Sequence, residues 1–583
     1  MTKSFLPQFD AVRLSNGGFQ TLLIAEIEFR GIQKFVFASP RLRDMVGANV
    51  LIGETIRRHL VALAVRHHAV PIVIPAGVIN GPIHDDPIKE VEDIDIDDPA
   101  ALYAKGILSR DGGHLRVCMA AGAASDAEQS NARAFLAAAA DLLQTEVPGL
   151  RHDLRLIAVD DAGNDTTVVE GDVRPELREV ILVASPYFAL CSATGTDRAT
   201  RYWPTPEGLR EPVSASVHAR RTAYDRWRNK DAGDIISLMD RWMGGEEARY
   251  PGETAPDLLK MCGNDYMAVI HADGNNVGDR AVAEAKKIKV TDRASFLRKE
   301  AAFENFHHRN RVNLRKAVTQ ALAVAFGVAP VSDSASAEGS FRQFQLLMLG
   351  GDDLLLICRA KGAMQFVTSL CDALAKPGDA DPLTLGIGIA IASPNLPIHR
   401  LVELSDDLAA SAKRLFRRLD AGGTPASVVD WHIETGSWTP EISSHRRKTE
   451  LVSYGTETCA LIQRPLRVLE DADPAVAAPL PPQLDRLAGL LRASAAVQEG
   501  ARNKLRKMSS ALSLGRRSAE AKFQDLPVDL LCLLRDPAKV GLVELWRAPA
   551  AGHWVTPLRD LVELSEIAKL ATNKPVNPVG ASR

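Results

Sequence analysis

Two adjacent aspartates stand at the predicted turn of an apolar hairpin. The segment LLMLGGDDLLLIC, residues 346–358, is typical of two buried strands with Asp352 and Asp353 between them. Gly350 and Gly351 fit a tight turn, because glycine adopts positive φ without strain. Adjacent ionised carboxylates repel each other and are costly to desolvate beside an apolar sheet. A bound Mg²⁺ or Mn²⁺ would remove that cost, since these cations prefer carboxylate oxygen, so we interpret the pair as a candidate metal site.

A third aspartate ends a predicted strand upstream of the hairpin. The strand YMAVIHAD ends at Asp273 and leads into the loop GNNVG. In a ferredoxin-like palm this strand lies beside the hairpin, so Asp273 would face Asp352 and Asp353. Three converging carboxylates are the ligand set of two-metal phosphoryl transfer, in which a metal also lowers the pKa of an attacking hydroxyl. The three aspartates are therefore our candidate catalytic and metal-binding residues.

The loop GNNVG is a candidate nucleotide-binding segment. Its small residues leave room for a triphosphate, whose oxygens accept hydrogen bonds from loop N–H groups. The candidate nucleotide-binding residues of the loop are Gly274, Asn275, Asn276 and Gly278. Taken alone, the loop is typical of a plain surface turn. Its position beside the hairpin favours a nucleotide site.

Strand and helix signals around these residues follow the order β-α-β-β-α-β, with one added helix and a closing strand. After the strand ending at Asp273 come the helix ASFLRKEAAFENFHHRNRVNLRKAVTQALAVAFG, the hairpin, the helix AMQFVTSLCDALAK, the strand LTLGIGIAIAS, the helix PIHRLVELSDDLAASAKRLFRRL and the strand ASVVDWHIE. This order predicts a ferredoxin-like domain.

The first region repeats this outline. It is predicted to hold a strand at Leu22–Phe29, the strands VPIVIPAG, GGHLRVCMAAG and DLRLIAVDD, and a helix capped by Ser125 with Glu128 three residues on. DGGHLRVCM at 111–119 matches LGGDDLLLIC at 349–358 as two glycines, two variable positions and an apolar strand with a cysteine. Two palm-like halves, of which one carries the acids, are the economical interpretation.

These patterns predict an α+β fold with two ferredoxin-like palm domains of the nucleotide cyclase or polymerase type. Residues 1–175 form the first, non-catalytic palm, and residues 263–435 form the second, which carries the GGDD hairpin. Residues 176–262, rich in turn formers, are predicted as an inserted linker domain. Beyond 436 the strand signals fade, so residues 436–583 are predicted as a helical C-terminal domain.

Composition excludes several classes of protein. The chain has 583 residues, 46% hydrophobic and 25% charged, with a formal net charge of −3. A global basic field for nucleic acid is therefore absent, and any nucleic-acid surface must be a local patch. Seven cysteines without Cys-x-x-Cys spacing argue against a disulfide framework and a zinc knuckle. No apolar signal core and no 18-residue apolar run occur, so we expect a cytoplasmic protein with no membrane association.

The GGDD hairpin, the ADGNNVG segment and the first-half segment EIEFRGIQKFVFASPRLRDMVGANVL together resemble a known family. The chain is similar to the polymerase-like large subunit of type III CRISPR effector complexes, the CRISPR-associated protein ten family, closest to its Cmr-type branch. The resemblance covers about residues 20–540. The GIQKFVFASPRLRDMVGA segment is more specific than the Gly-Gly-Asp-Asp motif, which nucleotide cyclases share.

The resemblance implies an antiviral enzyme that converts ATP into cyclic oligoadenylate when its complex holds a matching target RNA. It implies a two-metal site with Mg²⁺ or Mn²⁺ on the three aspartates, and Gly350 and Gly351 that let the nucleotide approach the hairpin. The helix segment ASAKRLFRR resembles the family's Ala-Lys helix, which suggests Lys413 as a phosphate contact; a solvated helix face is the equally open alternative. The implied partners are other subunits of a type III complex, crRNA and target RNA.

Three departures from the family pattern modify these expectations. The first palm begins near residue 20, so we expect no His-Asp nuclease domain and no DNase activity; HDD at 84–86 and HD at 152–153 are interpreted as incidental. The segment that binds zinc in the family keeps only Cys191 here, which argues against zinc. Asn275 stands where some members have aspartate, so the metal site would depend more on the hairpin pair.

Other interpretations stay open at the level of sequence. A stand-alone cyclase that makes a dinucleotide would use the same hairpin, and a non-catalytic scaffold would grip RNA through basic patches. The C-terminal basic candidates are Arg502, Lys504, Arg506, Lys507, Arg516 and Arg517. A solvated helix face and a contact with crRNA or partner subunits are both compatible with them.

Overall fold

The structure is a computed structural model. It describes residues 22–73, 87, 97–111, 113–122, 124–173, 189–205, 207–229, 231–243, 255, 257–263, 265–327, 341–375, 382–434, 441–471, 481–497 and 499–569. The chain divides into two compact units. The first comprises Met1–Arg249, Asn276–Lys316 and Leu346–Asp353, and the second comprises Tyr250–Asn275, Ala317–Gln345 and Leu354–Arg583.

Strands and helices alternate along much of the chain. The strands are β1 (Leu22–Arg30), β2 (Ile107–Asp111), β3 (His114–Ala120), β4 (Arg151–Val159), β5 (Asp165–Val173), β6 (Arg201–Pro204), β7 (Arg210–Val213), β8 (Met267–Gly274), β9 (Phe344–Gly350), β10 (Asp353–Arg359), β11 (Leu385–Ala392), β12 (Val428–Glu434), β13 (Leu451–Tyr454), β14 (Glu457–Ala460), β15 (Leu466–Arg467), β16 (Arg547–Ala550) and β17 (His553–Val555). The predicted mixture of sheet and helix is confirmed.

The α-helices are α1 (Ile32–Val36), α2 (Leu42–Glu54), α3 (Leu60–Arg66), α4 (Pro99–Tyr103), α5 (Asp126–Glu146), α6 (Ala215–Arg228), α7 (Ile235–Met243), α8 (Leu258–Cys262), α9 (Val277–Lys286), α10 (Arg293–Phe326), α11 (Ala360–Leu374), α12 (Ile398–Ala421), α13 (Ile442–Thr449), α14 (Leu487–Ala496), α15 (Glu499–Ala511), α16 (Arg516–Gln524), α17 (Val528–Arg535) and α18 (Leu558–Lys569). A π-helical turn at Thr55–His59 joins α2 to α3, and a 3₁₀ turn at Leu512–Leu514 follows α15. None of the described helices is long and apolar enough to cross a lipid bilayer.

The first sheet has the order β2-β3-β1-β4-β5 with antiparallel neighbours. Its first four strands have the arrangement of a ferredoxin-like domain, as predicted for the first palm. Leu22, Ile24, Cys118 and Val159 contribute to its buried core. Helix α5 begins at a capping box in which Ser125 and Glu128 satisfy each other's backbone N–H groups, as predicted.

Two segments of the first unit differ from the prediction. The predicted strand VPIVIPAG is not a strand over its described part, 70–73, although the Val70 N–H donates to the Cys118 carbonyl at 2.8 Å; residues 74–77 lie outside the described residues. Strand β2, which precedes β3 across the hairpin, and strand β5 were not predicted. Both lie at the edges of the sheet. Strand β5 is exposed over 165–167, whereas β2 is buried over 107–110 but is too short to show a strand pattern in the sequence.

Around the insertion, charged side chains of the segment FASPRLRDM hold β7 and α6. Arg41 and Arg43 both contact the Glu211 carboxylate at 3.1 Å, and Arg221 contacts the same carboxylate. Arg221 also donates to the buried Asp44 at 3.0 Å. The residues that carried the family resemblance in the first palm therefore attach the inserted region to it.

The second sheet has the order β15-β12-β11-β8-β10-β9. Strands β11, β8, β10 and β9 repeat the ferredoxin-like order, and β12 pairs in parallel with β11. Strand β11 is buried along its whole length, and α12 packs against it. The predicted order of the second palm is confirmed, and the structure adds two elements that were not predicted, helix α9 after Asn276 and the edge strand β15.

The C-terminal region contains the predicted helices and also a sheet that was not predicted. Its strand order is β13-β14-β17-β16, and β14 pairs in parallel with β17. These strands have four residues or fewer and are largely exposed, so they lack an apolar alternation that a sequence pattern can reveal. The region is therefore α+β rather than purely helical. The boundaries of the four domains stay a prediction.

Candidate functional site

The three predicted aspartates converge at the edge of the second sheet. Asp273 is the penultimate residue of β8, Asp353 is the first residue of β10, and Asp352 precedes it in the turn. Leu354 pairs with Ala272, so Asp353 lies beside Asp273. One carboxylate oxygen from each aspartate lies within 4.8 Å of the other two, and within the described part of the chain no other such group of three His, Cys, Asp or Glu residues occurs.

This donor set fits a hard divalent cation. All three aspartates are partly exposed, so each carboxylate can be reached from solvent while resting on a buried sheet. Mg²⁺ and Mn²⁺ prefer carboxylate oxygen and keep several waters or substrate oxygens as further ligands. The three predicted aspartates are thus placed where they would hold such cations, and this role stays a prediction.

The turn itself depends on Gly351. Its φ is +62°, a left-handed conformation that side-chain-bearing residues rarely adopt. Gly350 has no heavy atom within 4 Å of the position that a Cβ would take. The turn thus exposes bare backbone on one side and presents the aspartates on the other, which leaves space for a ligand against the glycines.

The first-palm hairpin has no aspartate at the three positions equivalent to Asp273, Asp352 and Asp353. Gly113 has φ +89° and corresponds to Gly351. Ile27 pairs with Leu115, and His114 precedes Leu115 at the turn, so these three residues stand where the second palm has its aspartates. The hairpin therefore forms without aspartates at these three positions. Folding alone does not account for three of them in the second palm.

Lys413 reaches the aspartates from α12. Its ammonium contacts the Asp273 carboxylate, and its side chain is about one quarter exposed. Gly386 pairs with Asp273 across the sheet, and a Cβ at Gly386 would lie 2.5 Å from Lys413 Cγ. The absence of a side chain at Gly386 thus opens the path for Lys413. Lys413 lies at the site rather than on a freely solvated helix face; its contact with phosphate stays a prediction.

Asn275 holds the loop rather than projecting from it. It is buried, its backbone N–H donates to the Thr384 carbonyl at 2.9 Å, and its side-chain amide donates to Thr384 Oγ1 at 3.2 Å. Asn276 has φ +54° and is the residue before α9, whereas Gly278 lies in the first turn of α9 with open space around it. The anchoring of the loop by Asn275 was not predicted, and contacts of these residues with nucleotide stay predictions.

Two further features of the site escaped the sequence analysis. His271 lies on the same face of β8 as Asp273, and its Nδ1 is 3.3 Å from Asp406 on α12. The contact with His271 lowers the pKa of the Asp406 carboxyl. A Cβ at Gly388 would lie 2.0 Å from the Ser405 carbonyl oxygen, so this glycine lets α12 approach the sheet. Polar residues alternating in HADG, and the glycines of GIG within an apolar strand, were the available signals.

A cavity of about 450 Å³ opens on the hairpin within the first unit. Gly350, Gly351 and Asp353 form part of its wall. Its buried charged lining consists of Arg57, Arg110, Arg311, Arg315, Asp97 and Asp234. Burial alone would raise the pKa of Asp97, but the four arginines outweigh burial and hold this pKa well below its usual range. The wall near the hairpin is therefore rich in cationic groups, a chemistry that suits phosphate.

The predicted incidental histidine–aspartate pairs do not form a site among the described residues. His152 and Asp153 lie within β4, where Asp153 pairs with Arg30 at 2.7 Å. The HDD segment at 84–86 lies outside the described residues. Cys191 packs with Val213 and Val217 in a small apolar cluster.

Residues 266–419 match the family described as Cas10/Cmr2, second palm domain. This part of the chain is similar to the second palm domain of the Cas10 family. The match covers the strand of Asp273, the GGDD hairpin and the helix of Lys413, so the resemblance stated from the sequence is confirmed. In a Cas10 protein this segment has a nucleotidyltransferase-type palm fold, and the predicted ferredoxin-like order agrees with it.

Solved structures of Csm1 also match this chain, at low sequence identity. Csm1 in the Csm1-Csm4 cassette in complex with cA4 is 10% identical over 94% of this chain and 70% of that chain, with a TM-score of 0.44. The cassette in complex with cA3 is 10% identical over 97% and 71%, with a TM-score of 0.45. Csm1 in T. onnurineus is 12% identical over 95% and 70%, with a TM-score of 0.40. No curated protein matches the sequence.

Proposed function

We propose that this Cas10-family chain is a metal-dependent nucleotidyltransferase that makes cyclic oligoadenylate from ATP. The observation that carries the proposal is the convergence of Asp273, Asp352 and Asp353 within 4.8 Å at the edge of a Cas10/Cmr2 second palm. The first-palm hairpin forms with Ile27, His114 and Leu115 at the equivalent positions, which supports a chemical rather than a structural reason for the three aspartates. Adenine as the base and a cyclic product follow from the family resemblance.

In the proposed reaction the 3′-hydroxyl oxygen of one ATP bonds to the α-phosphorus of another. The bond from that phosphorus to the pyrophosphate oxygen breaks, and pyrophosphate leaves. Divalent cations, when bound, would acidify the hydroxyl and neutralise charge on the phosphates. The hydroxyl proton leaves toward a carboxylate of the hairpin pair or toward water. After repeated transfer, the terminal 3′-hydroxyl of the oligoadenylate attacks the α-phosphorus of its own 5′-triphosphate, and a further pyrophosphate leaves as the ring closes.

Residues of the chain have distinct tasks in this proposal. The three aspartates hold the cations and fix the reacting groups relative to the sheet. Gly350 and Gly351 allow the nucleotide to approach the turn. Lys413 offers an ammonium to phosphate oxygens, and the arginine-rich wall of the cavity offers further cationic groups. Asn275 keeps the loop after Asp273 in place.

We also infer that the chain works with crRNA, target RNA and other subunits of a type III complex. Among the predicted basic residues, Lys504, Arg506, Lys507 and Arg517 are exposed in the structure. Exposed cations on a chain with a net charge of −3 form a local patch that suits RNA phosphate. A purely scaffolding role would leave the aspartate triad without a purpose, whereas a dinucleotide cyclase would use it on a different nucleotide.

The test is product analysis by mass spectrometry. The purified chain, alone and in its native complex with target RNA, is incubated with ATP or with GTP and Mg²⁺ or Mn²⁺. We expect cyclic oligoadenylate from ATP, and a loss of at least about 10³-fold in D352N/D353N, because several kcal/mol of charge stabilisation are removed. D160N/D161N is the matched control, since it changes two adjacent aspartates in an exposed turn between β4 and β5.

Undiminished turnover by D352N/D353N would refute the proposal. A cyclic dinucleotide from GTP would favour the stand-alone cyclase instead. RNA binding with no nucleotide turnover in any condition would favour the scaffold.

A further inference from the structure

Lys413 occupies a position that competes with a metal ion. Its ammonium contacts the Asp273 carboxylate, which is one of the three groups placed to hold a cation. If an ammonium and a divalent cation both bind the same carboxylate, their positive charges repel each other strongly. The two cations therefore compete for Asp273.

The route of the lysine side chain is built into the fold. Gly386 pairs with Asp273, and a Cβ there would meet Lys413 Cγ at 2.5 Å and Cε at 3.4 Å. Gly388, two residues on, brings α12 against the same strand. These glycines keep the Lys413 side chain pointed at Asp273 rather than along the surface.

A second acid accompanies the lysine on α12. Asp406 lies two helical turns before Lys413 and contacts His271 at 3.3 Å. The charge of Lys413 also acts on Asp406 and contributes to lowering its pKa. The ammonium can therefore leave Asp273 and still lie in a negative field, so a shift toward a ligand is inexpensive.

We propose that Lys413 makes metal loading depend on nucleotide. In the absence of nucleotide its ammonium is the resident counter-ion of Asp273 and weakens binding of a divalent cation. A triphosphate offers the ammonium a better partner, and its withdrawal releases the Asp273 oxygen for the cation. The cation is thereby held tightly only when substrate is present. This inference rests on the proposed function of the aspartates as metal ligands.

The experiment measures Mn²⁺ binding to the full-length chain by electron paramagnetic resonance, with no turnover required. The variants are K413M, which keeps the length of the side chain without its charge, and K413R, which keeps a charge. Without nucleotide we expect K413M to bind Mn²⁺ about fivefold to tenfold more tightly than wild type, because the substitution removes a partly exposed positive charge beside the cation. K413R should stay close to wild type.

Addition of α,β-methylene-ATP, which cannot react at the α-phosphate, provides the second half of the experiment. We expect the analogue to tighten Mn²⁺ binding more in wild type than in K413M, so that the difference between them closes. In a D273N background the substitution K413M should have no further effect, which a general change in structure would not reproduce. Thermal melting of each variant confirms that it is folded.

The outcomes separate this inference from the proposed function. If D352N/D353N abolishes Mn²⁺ binding and D273N weakens it, but K413M without nucleotide binds Mn²⁺ no more tightly than wild type, the inference about Lys413 is overturned and the metal site stands. If D273N and D352N/D353N leave Mn²⁺ binding unchanged, the metal site itself fails, and the inference falls with it.

Discussion

Two glycines of strand β11 should respond in opposite ways to the same substitution. A Cβ at Gly386 would meet the side chain of Lys413, at 2.5 Å from Cγ. A Cβ at Gly388 would meet backbone, at 2.0 Å from the Ser405 carbonyl oxygen and 2.4 Å from the Ala409 nitrogen. A side chain can rotate away, whereas the backbone of α12 cannot move without disturbing its packing on the sheet.

The expected magnitudes follow from these contacts. G388A overpacks a helix–strand contact and should lower the free energy of unfolding by about 1–3 kcal/mol. G386A should change it by less than about 1 kcal/mol, because relief of the strand glycine's entropy offsets the displacement of one side chain. In G386A, however, Lys413 would be displaced from the site. Loss of its charged hydrogen bond should raise the activation free energy by about 1.5–3 kcal/mol, which lowers turnover roughly tenfold to a hundredfold.

Urea unfolding and ATP turnover measured on the same preparations distinguish the two effects. G386A should be as stable as wild type but slow, and G388A should be unstable. Full turnover in G386A would refute the assignment of a path for Lys413 past Gly386. A G388A variant as stable as wild type would refute the close approach of α12 to the sheet.

Three further predictions concern stability and the turn. The hydrogen bond from His114 lowers the pKa of Glu26 to about 2, although burial opposes this shift. The stability that ionised Glu26 adds to the fold is therefore present above the ordinary pKa of 4.5 and is lost as pH falls toward 2. The melting temperature of E26Q should lie below that of wild type at pH 7 and approach it as pH falls. Burial raises the pKa of Asp560 to about 7, so this group lowers the stability of the fold as pH rises from about 4 to 7. The melting temperature of D560N should therefore rise relative to that of wild type between pH 5 and pH 8. If the difference in melting temperature between D560N and wild type is the same at both pH values, this prediction is wrong. G351A should lose about 1–2 kcal/mol in urea unfolding because φ is +62°, whereas G350A, with open space around it, should not.

The aspartate triad could be predicted because two local signals agree with one topology. Acids at the end of an apolar strand and at a Gly-Gly turn are visible in the sequence, and the ferredoxin-like order places those two points side by side. The register of β8 and β10 then brings Asp273 beside Asp353. The family resemblance added Lys413 by motif.

The contact between Lys413 and Asp273 could not be predicted in the same way. It depends on how closely α12 approaches β11, which two glycines decide, and on the pairing of Gly386 with Asp273. Asn275 is a similar case, since its anchoring requires Thr384, which lies far along the chain. These are tertiary contacts between segments whose separation no local pattern encodes.

The C-terminal sheet was missed for a different reason. Strand β14 pairs with β17 although their residues lie far apart in the sequence, and neither strand exceeds four residues. Such short and exposed strands carry too few apolar positions for a period of two to be visible. The helices of the same region, which bury residues at helical spacing, were predicted.

The proposed function requires that the aspartate triad act on the α-phosphate through a divalent cation. The most direct measurement compares turnover of ATP with that of the two α-phosphorothioate diastereomers in Mg²⁺ and in Cd²⁺ or Mn²⁺. Because hard Mg²⁺ avoids sulfur and softer cations accept it, we predict that one diastereomer reacts at least about tenfold more slowly than ATP in Mg²⁺ and recovers in the softer metal. Equal rates for both diastereomers in both metals would contradict the proposed action of the cation on the α-phosphate.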